Sequence, residues 1–515
     1  MRAVTGRISM LLMASACALL TACGSDGGDA GPTPTPSPSP SPSPTPGVPA
    51  SDCPSDFDNG GVIADKRNCV LPDRIVADLT LPNRPGTVYS LSGRVEVGRD
   101  VGGDGRDPSG IPVTLTIEPG VVVFGTGGLD YLVVNRGSKL QAVGTAQAPI
   151  IFTSRANLEG LATDDSQGQW GGVILLGRAP ISDCLANVPG GSANCEQGYE
   201  GLSSTLYGGG TPDDSSGALQ YVQIRYAGFE LAPDQEINGL TLAGVGSGTL
   251  LDHIQVHNSS DDGIETFGGR ANVRYLVLTG NDDDSFDTDQ GYQGFAQFVI
   301  AAQRMGGNSG DDMIEADSDG SEDSLPRQWT RLANFTFIQR STHANSAILL
   351  RGGTDYTLVN GIVVTPGACI DIDETDGATT RGPDSTLQDQ GPPVFRSVVL
   401  SCGADPYVED GNVPAATIRS FFELAEYNNN PAFASSLVNL FVNGPNETNV
   451  PAFDASTLGS FMVATDYIGA VKDANDLWYR GWTCDSTTAD FGSDAPCSEV
   501  QFREKDEEEP AEAGA

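Results

Sequence analysis

The sequence predicts an all-β solenoid, because a strand-like motif recurs at a nearly fixed spacing. The motifs "HIQVHN", "YLVLTG" and "QFVIAA" begin 22 residues apart, and related motifs lie on both sides of them. Apolar residues alternate within each motif, as Ile254 and Val256 do, and a period of two is typical of strands. The chain also has 64 glycines and 33 prolines, which favours many turns over long helices. Repeats of this length with turns between strands indicate coils that stack around a common interior.

The first 22 residues read as a signal peptide rather than as part of the fold. Arg2 and Arg7 precede an apolar run that is too short to span a bilayer permanently, and the run ends in "LTAC". This ending resembles a bacterial lipobox, which would make Cys23 the lipidated first residue of the mature chain. The alternative is an ordinary secretory signal with a chance cysteine. Because residue 24 is Gly rather than Asp, the resemblance implies a lipid anchor in the outer membrane, on its periplasmic or cell-surface face.

Two polar segments frame the predicted domain. Residues 23–50 form a Pro/Thr/Ser-rich linker whose alternating prolines predict an extended polyproline II spacer. A merely disordered tether is the alternative and would serve nearly the same purpose. At the other end, residues 501–515 are an acidic tail that is too polar to pack.

The cysteines indicate an oxidising compartment. Cys17 leaves with the signal and Cys23 takes the lipid, so eight of the ten remain, an even number in an exported chain. Zinc is the alternative, but the chain has no CxxC motif and three histidines. Proximity in sequence suggests the disulfides Cys53–Cys69, Cys184–Cys195 and Cys484–Cys497. Cys369–Cys402 would be the remaining pair.

The upstream strands make the solenoid more specific. Runs such as "VTLTIEPGVVVFG" and "WGGVILLGRAPI" resemble a right-handed parallel β-helix of the pectate-lyase-like superfamily. With "NGLTLAGVGSGT", "DDGIETFGG", "DDDSFDTDQGY" and the late "WYRGWTC", the chain resembles a family of Gram-negative surface lipoproteins without an established activity. The resemblance covers about 110–485 and implies fold and location more than function.

The remaining segments are predicted to close the ends of the β-helix, which would span 109–402. Residues 51–108 would form an N-terminal cap, and residues 403–500 a C-terminal cap that contains some helix. The helix is predicted from apolar residues at positions i, i+3, i+4 and i+7, because that spacing places their side chains in a stripe on one helical face. The stripe consists of Ile418, Phe421, Phe422 and Ala425. Such a cap would cover the open edge of the last coil.

Acidic runs recur on successive strands and align in register. Ile264, Phe286, Ile314, Ile348 and Ile370 form one inward column in this alignment. Alternation then points Glu265, Asp287, Glu315, Leu349 and Asp371 outward, followed two residues later by Phe267, Asp289, Asp317, Arg351 and Asp373. Stacked coils lie about 4.8 Å apart, so carboxylates in one column repel each other.

Calcium is one way to relieve this repulsion, since Ca–O distances of about 2.3–2.6 Å let one ion bridge two coils. The predicted ligands are Glu265, Asp287, Asp289, Glu315, Asp317, Asp371 and Asp373. The alternative is a solvated acidic surface that keeps the chain soluble. The aspartates at 261–262, 283–284 and 311–312 are expected to form turns.

The charge and the motifs argue against one class of function but do not identify a ligand or a substrate. The net charge of −40 argues against nucleic-acid binding. The best hypothesis is a binding or scaffolding role at the cell surface, with a glycan or an outer-membrane protein as partner. The alternative, implied by the resemblance, is a calcium-dependent polysaccharide lyase or glycoside hydrolase. Arg351 lies in the outer acidic column and would be the basic residue that such a lyase needs. An ion pair with Asp317 and Asp373 is the simpler role for Arg351.

Overall fold

Coils that each add strands to long parallel sheets build the domain. The computed structural model describes residues 47–503 except 200, 203, 233–234, 306–309, 319, 342–343, 404 and 410. Its strands are β1 (Asp58–Ile63), β2 (Lys66–Val70), β3 (Arg74–Ile75), β4 (Leu79–Leu81), β5 (Thr87–Leu91), β6 (Arg94–Val97), β7 (Thr114–Ile117), β8 (Val122–Gly125), β9 (Tyr131–Val134), β10 (Lys139–Val143), β11 (Ile150–Ser154), β12 (Val173–Leu176), β13 (Gln197–Gly198), β14 (Leu206–Tyr207), β15 (Gly217–Arg225), β16 (Glu230–Ala232), β17 (Gln235–Glu236), β18 (Leu240–Ala243), β19 (Leu250–His257), β20 (Ile264–Phe267), β21 (Val273–Thr279), β22 (Phe286–Asp289), β23 (Gln293–Ala302), β24 (Ile314–Ala316), β25 (Trp329–Ile338), β26 (Ile348–Leu350), β27 (Thr357–Thr365), β28 (Ile370–Ile372) and β29 (Val394–Cys402). The helices are α1 (Arg155–Leu158) and α2 (Ala415–Phe422), with three short 3₁₀ helices after α2.

The strand order confirms the predicted parallel β-helix. One sheet runs β3-β6-β9-β12-β18-β20-β22-β24-β26-β28, and every pairing in it is parallel. The larger sheet runs β2-β5-β8-β11-β15-β19-β21-β23-β25-β27-β29. In the early coils its strands come in pairs, and β10 and β11 both join the single long strand β15.

The long strands bend at one residue that stands at the same place in each coil. These residues have positive φ, a backbone conformation that is uncommon for residues other than Gly and Asn. The bend lets a single strand serve two faces of the coil. The column consists of Tyr221, His253, Tyr275, Phe298, Asn334, Asn360 and Ser397.

Inward apolar side chains form one core along the coils. Ile264, Phe286, Ile314, Ile348 and Ile370 pair in the predicted register and are at most 1% exposed. The period-two pattern therefore gave the correct face for each of these strands.

The first coils begin earlier than the predicted boundary at residue 109. β2 already pairs with β5 in parallel, and β3 with β6, so residues 66–97 belong to coils rather than to a separate cap. The antiparallel strand β1 lies at this end of the sheet. The sequence did not reveal these coils because their strands have two to five residues, too few for a clear alternation.

Helix α2 covers the last coil, as a cap should. Ile418 and Phe422 are fully buried, and the Phe422 ring lies 5.4 Å from that of Phe395 in β29. Phe421 packs partly against the same core. Ala425 does not continue the stripe: the helix ends at Phe422, and Ala425 is exposed in the 3₁₀ helix that follows.

Residues 428–503, here called the C-terminal strap, run back along the outside of the larger sheet. The strap pairs with β29 at Asn430 and ends at the first coils, where Asn83 donates a hydrogen bond to the carbonyl of Arg503. Of the predicted C-terminal cap, residues 403–500, only the part around α2 covers the last coil, and the larger part runs back along the β-helix to the first coils.

Buried amide side chains hold the strap. Gln255 donates to the carbonyl of Cys484 and accepts from its backbone N–H, at 3.1 and 2.8 Å. Gln297 bonds Val463 in the same two-bond manner, and so does Asn360 with Phe453. Each side-chain amide therefore pairs with one residue of the strap through a donor and an acceptor, as a backbone residue of a neighbouring strand would.

The four predicted disulfides are all present in the structure: Cys53–Cys69, Cys184–Cys195, Cys369–Cys402 and Cys484–Cys497. The signal peptide 1–22, Cys23, nearly all of the linker and the tail beyond residue 503 lie outside the described residues. Within the part of the chain that the structure describes, no helix has the length and apolar character needed to cross a membrane.

Candidate cation site on the acidic face

The acidic face is the outer surface of β20, β22, β24, β26 and β28. Glu265, Asp287 and Glu315 stand opposite one another on three successive strands, as predicted. Leu349 occupies the next step and separates them from Asp371. The predicted ligands therefore divide into a group around Asp287 and a group around Arg351.

A carboxylate from a turn joins the first group. Ligand oxygens of Asp262, Glu265 and Asp287 lie within 4.8 Å of one another, and Asp262 forms a second such trio with Asp261 and Asp283. Because opposite ligands of Ca²⁺ lie about 4.6–5.2 Å apart, one ion could contact all three oxygens of the first trio.

Asp262 was not among the predicted cation ligands, because the sequence indicated only a turn at this position. Asp262, Asp284 and Asp312 each stand two residues before an inward apolar residue, and all three are at most 6% exposed. The backbone N–H of Asp284 donates to Asp262 at 3.0 Å, and that of Asp312 donates to Asp284 at 2.6 Å. The repeated position before the inward column was the signal that could have found this buried ladder.

Burial makes the charge of this group costly. Burial first, and neighbouring carboxylates second, hold the pKa values of Asp262, Glu265, Asp284 and Asp287 well above their ordinary range. Burial also raises the pKa of Asp289 to about 8, although the backbone N–H of Gln290 donates to its carboxylate at 2.5 Å. Among the described residues, the buried Oδ1 of Asp287 has no hydrogen-bond partner.

A disulfide-closed insertion between β12 and β15 forms one wall of the face. The Tyr199 ring packs edge-on against Phe267 at 5.5 Å, and the Tyr207 hydroxyl donates to Gln290 Oε1 at 2.7 Å. Asn238 donates to the carboxylate of Glu265. These contacts remove water from one side of the carboxylates, which strengthens both their repulsion and their attraction to a cation.

Arg351 organises the second group. Its guanidinium lies 2.5 Å from Glu315 and 3.0 Å from Asp317, so the predicted ion pair with Asp317 is present. A cavity of about 220 Å³ opens beside it, lined by Asp317, Glu322, Arg351, Gly352, Asp373, Glu374, Thr375, Gly411 and Asn412. Asp373 shares this cavity, while Asp371 is buried at 3% exposure.

The comparisons with known proteins address the fold. Searches of curated proteins and of solved structures gave no match. A family model described as "Pectate-lyase like beta helix domain" matches residues 87–396, which is more than half of the chain. This range contains β5 to β28 and therefore all of the acidic face through Asp373. The chain therefore belongs to the family of pectate-lyase-like β-helix domains.

Proposed function

We propose that the protein is a lipid-anchored β-helix of the outer membrane that acts as a calcium-dependent binding or scaffolding module. Asp262, Glu265 and Asp287 would form the core of the ion site. The Pro-rich linker would hold this domain away from the lipid, and a glycan or an outer-membrane protein would be its partner.

The buried Oδ1 of Asp287 carries the proposal. Asp287 and Glu265 stand opposite each other on adjacent strands, so the strand register sets their spacing. Asp262 completes the trio from the turn before β20, where its carboxylate accepts a hydrogen bond from the backbone N–H of Asp284. An unpartnered buried carboxylate oxygen is unfavourable unless it is protonated or meets a cation. Ca²⁺ would supply the missing partner and offset the repulsion between the neighbouring carboxylates.

Four disulfides support the proposed location. Such bonds persist in oxidising compartments, which include the bacterial periplasm and the cell surface. The lipobox-like "LTAC" and the linker would then anchor the domain at the outer membrane.

The enzymatic alternative gains no specific support from the acidic face. A polysaccharide lyase needs a basic group that can take a proton, and Arg351 is held between Glu315 and Asp317. The binding role is favoured because a surface rich in carboxylates suits cations better than acidic polysaccharides.

Calcium titration of the folded chain tests the proposal directly. Isothermal titration at pH 8 should show Ca²⁺ binding to the wild type, and Asp287→Asn should weaken it by tenfold or more. Asp56→Asn removes an equal charge from the exposed N-terminal region and should leave the affinity unchanged. The proposal is wrong if Na⁺ at matched ionic strength abolishes the heat, or if both variants bind like the wild type.

A further inference from the structure

The Cys484–Cys497 disulfide lies where the β-helix holds the C-terminal strap most closely. Gln255, which is fully buried, exchanges two hydrogen bonds with the backbone of Cys484. The carbonyl of Cys497 accepts from Arg225 Nη1 at 2.9 Å and from Asn157 Nδ2 at 3.0 Å. Both half-cystines are therefore anchor points, although the bond itself joins the strap only to the strap.

The Arg225 anchor demands a fixed geometry. Its side chain is fully buried, and Nη1 also donates to the carbonyl of Glu499 at 2.8 Å. A buried guanidinium is costly unless its donors stay satisfied, so the carbonyls of Cys497 and Glu499 must remain in place. The disulfide fixes Cys497 relative to Cys484, which Gln255 holds one coil further along.

The strap covers a stack of rings on the bend of the long strands. His253 lies 4.4 Å from both Tyr221 and Tyr275, and Tyr275 lies 4.9 Å from Phe298. Trp482, two residues before Cys484, packs edge-on against His253 at 5.4 Å and is fully buried. Trp478 packs on the same stack, 5.2 Å from Tyr275.

We infer that the Cys484–Cys497 disulfide is the latch of the strap. While it is closed, the loop presents its carbonyls to Arg225 and Asn157, and the tryptophans cover the ring stack. Reduction by a dithiol transfers two electrons and two protons to the bridge, giving two cysteine thiols and the oxidised, disulfide form of the reductant. The loop then loses its fixed shape, and the strap opens and exposes the stacked rings.

The expected size of the effect follows from chain entropy. The bridge closes a loop with a sequence separation of 13, and opening such a loop favours the released state by roughly a hundredfold. The coils have their own parallel pairings and core, so they should stay folded when the strap opens.

Hydrogen exchange on the full chain distinguishes a latch from a general support. In Cys484→Ser with Cys497→Ser, peptides from 440–503 should exchange about a hundredfold faster, while β19 and β21 stay protected. The matched control is Cys184→Ser with Cys195→Ser, which opens a loop of similar separation, 11, and should leave strap exchange unchanged.

A second measurement uses the folded wild type and does not depend on the variant folding. Treatment with dithiothreitol should create trypsin cleavage after Arg480 in step with loss of the 484–497 bridge, followed by mass spectrometry. Unchanged strap protection after loss of the bridge would overturn the inference. So would a simultaneous loss of protection in the strap and in β19 and β21, because the bridge would then support the whole fold.

Discussion

The backbone N–H of Asp284 donates a 3.0 Å hydrogen bond to the carboxylate of Asp262, one coil earlier. Asp284 in turn accepts from the N–H of Asp312, so buried carboxylates run along three coils. These bonds satisfy the backbone of the turns, but they bring like charges together away from water. The ladder can stay folded at neutral pH if protons or cations neutralise part of its charge.

Asp284→Asn should stabilise the chain in the presence of a chelator at pH 8. The amide oxygen of Asn can still accept the hydrogen bond from the N–H of Asp312. The substitution also removes the buried carboxyl group, whose pKa is raised well above its ordinary value by burial. We expect thermal unfolding, followed by circular dichroism, to shift upward by a few degrees. The gain should shrink as the pH falls, because the raised pKa leaves the wild-type carboxyl increasingly protonated. A lower Tm at pH 8 would contradict the prediction.

Stability without Ca²⁺ should fall as the pH rises from about 4 to about 8. Asp289 has an ordinary pKa of 3.8, and burial raises it to about 8 in the folded chain. Between these values the unfolded chain has lost this proton and the folded chain retains it, so rising pH favours unfolding. Carboxylates with lowered pKa values, such as Asp466, act in the opposite sense and lose their contribution below pH 4.

Calcium should reverse part of this trend, because the ion competes with protons for the same oxygens. Thermal melts from pH 5 to pH 8 should show a Ca²⁺-induced gain that increases with pH. At a hundredfold excess over Kd, the gain corresponds to about 2.7 kcal/mol. A gain that is constant across this range, or that matched NaCl reproduces, would show that no protonated site is being filled.

The acidic columns could be predicted because an inward apolar residue fixes the face of its neighbours. Ile264, Phe286 and Ile314 set the register, and Glu265 and Asp287 then had to stand side by side. The strap could not be predicted in this way. Gln255 looks like an ordinary outward polar residue, and its partner Cys484 lies in a segment without periodicity.

Loss of the Cys369–Cys402 bridge should destabilise the last coils. The bond closes a loop with a sequence separation of 33, and Cys402 stands opposite Thr365 in the neighbouring strand. Replacing both cysteines with serine should cost the folded state about 3–4 kcal/mol in the chain-entropy model. Native-state hydrogen exchange of β29 and α2 measures this locally. A loss below about 1 kcal/mol would show that the coil stacking alone fixes this end.

Cys23 should carry lipid in the mature chain. The motive is "LTAC" directly after the apolar run of residues 8–20. Mass spectrometry of the membrane-extracted protein should find an N-terminal peptide that starts at Cys23 with acyl groups. Cys23→Ser should block the modification and release the domain from membranes. An unmodified Cys23, or cleavage at another residue, would leave the chain with an ordinary secretory signal.

Substitutions of Tyr275 test the bend of the long strands, because Tyr275 lies at the bend and has a φ of 58°. Asn334 and Asn360 occupy the same column, so Tyr275→Asn should fit the backbone and lose mainly the ring contacts with His253 and Phe298. Such aromatic contacts are worth about 0.5–1.5 kcal/mol each. Tyr275→Val also removes the ring but places a β-branched residue in the left-handed region, which should cost about 1–2 kcal/mol more.

The comparison of these two variants separates backbone strain from apolar burial. Valine is the more apolar side chain and would be favoured if burial decided the outcome. Urea unfolding should instead rank wild type above Asn and Asn above Val. If Val equals or exceeds Asn, the positive φ at this column does not constrain the residue type, and the stacking of Tyr221, His253, Tyr275 and Phe298 alone explains the aromatic column.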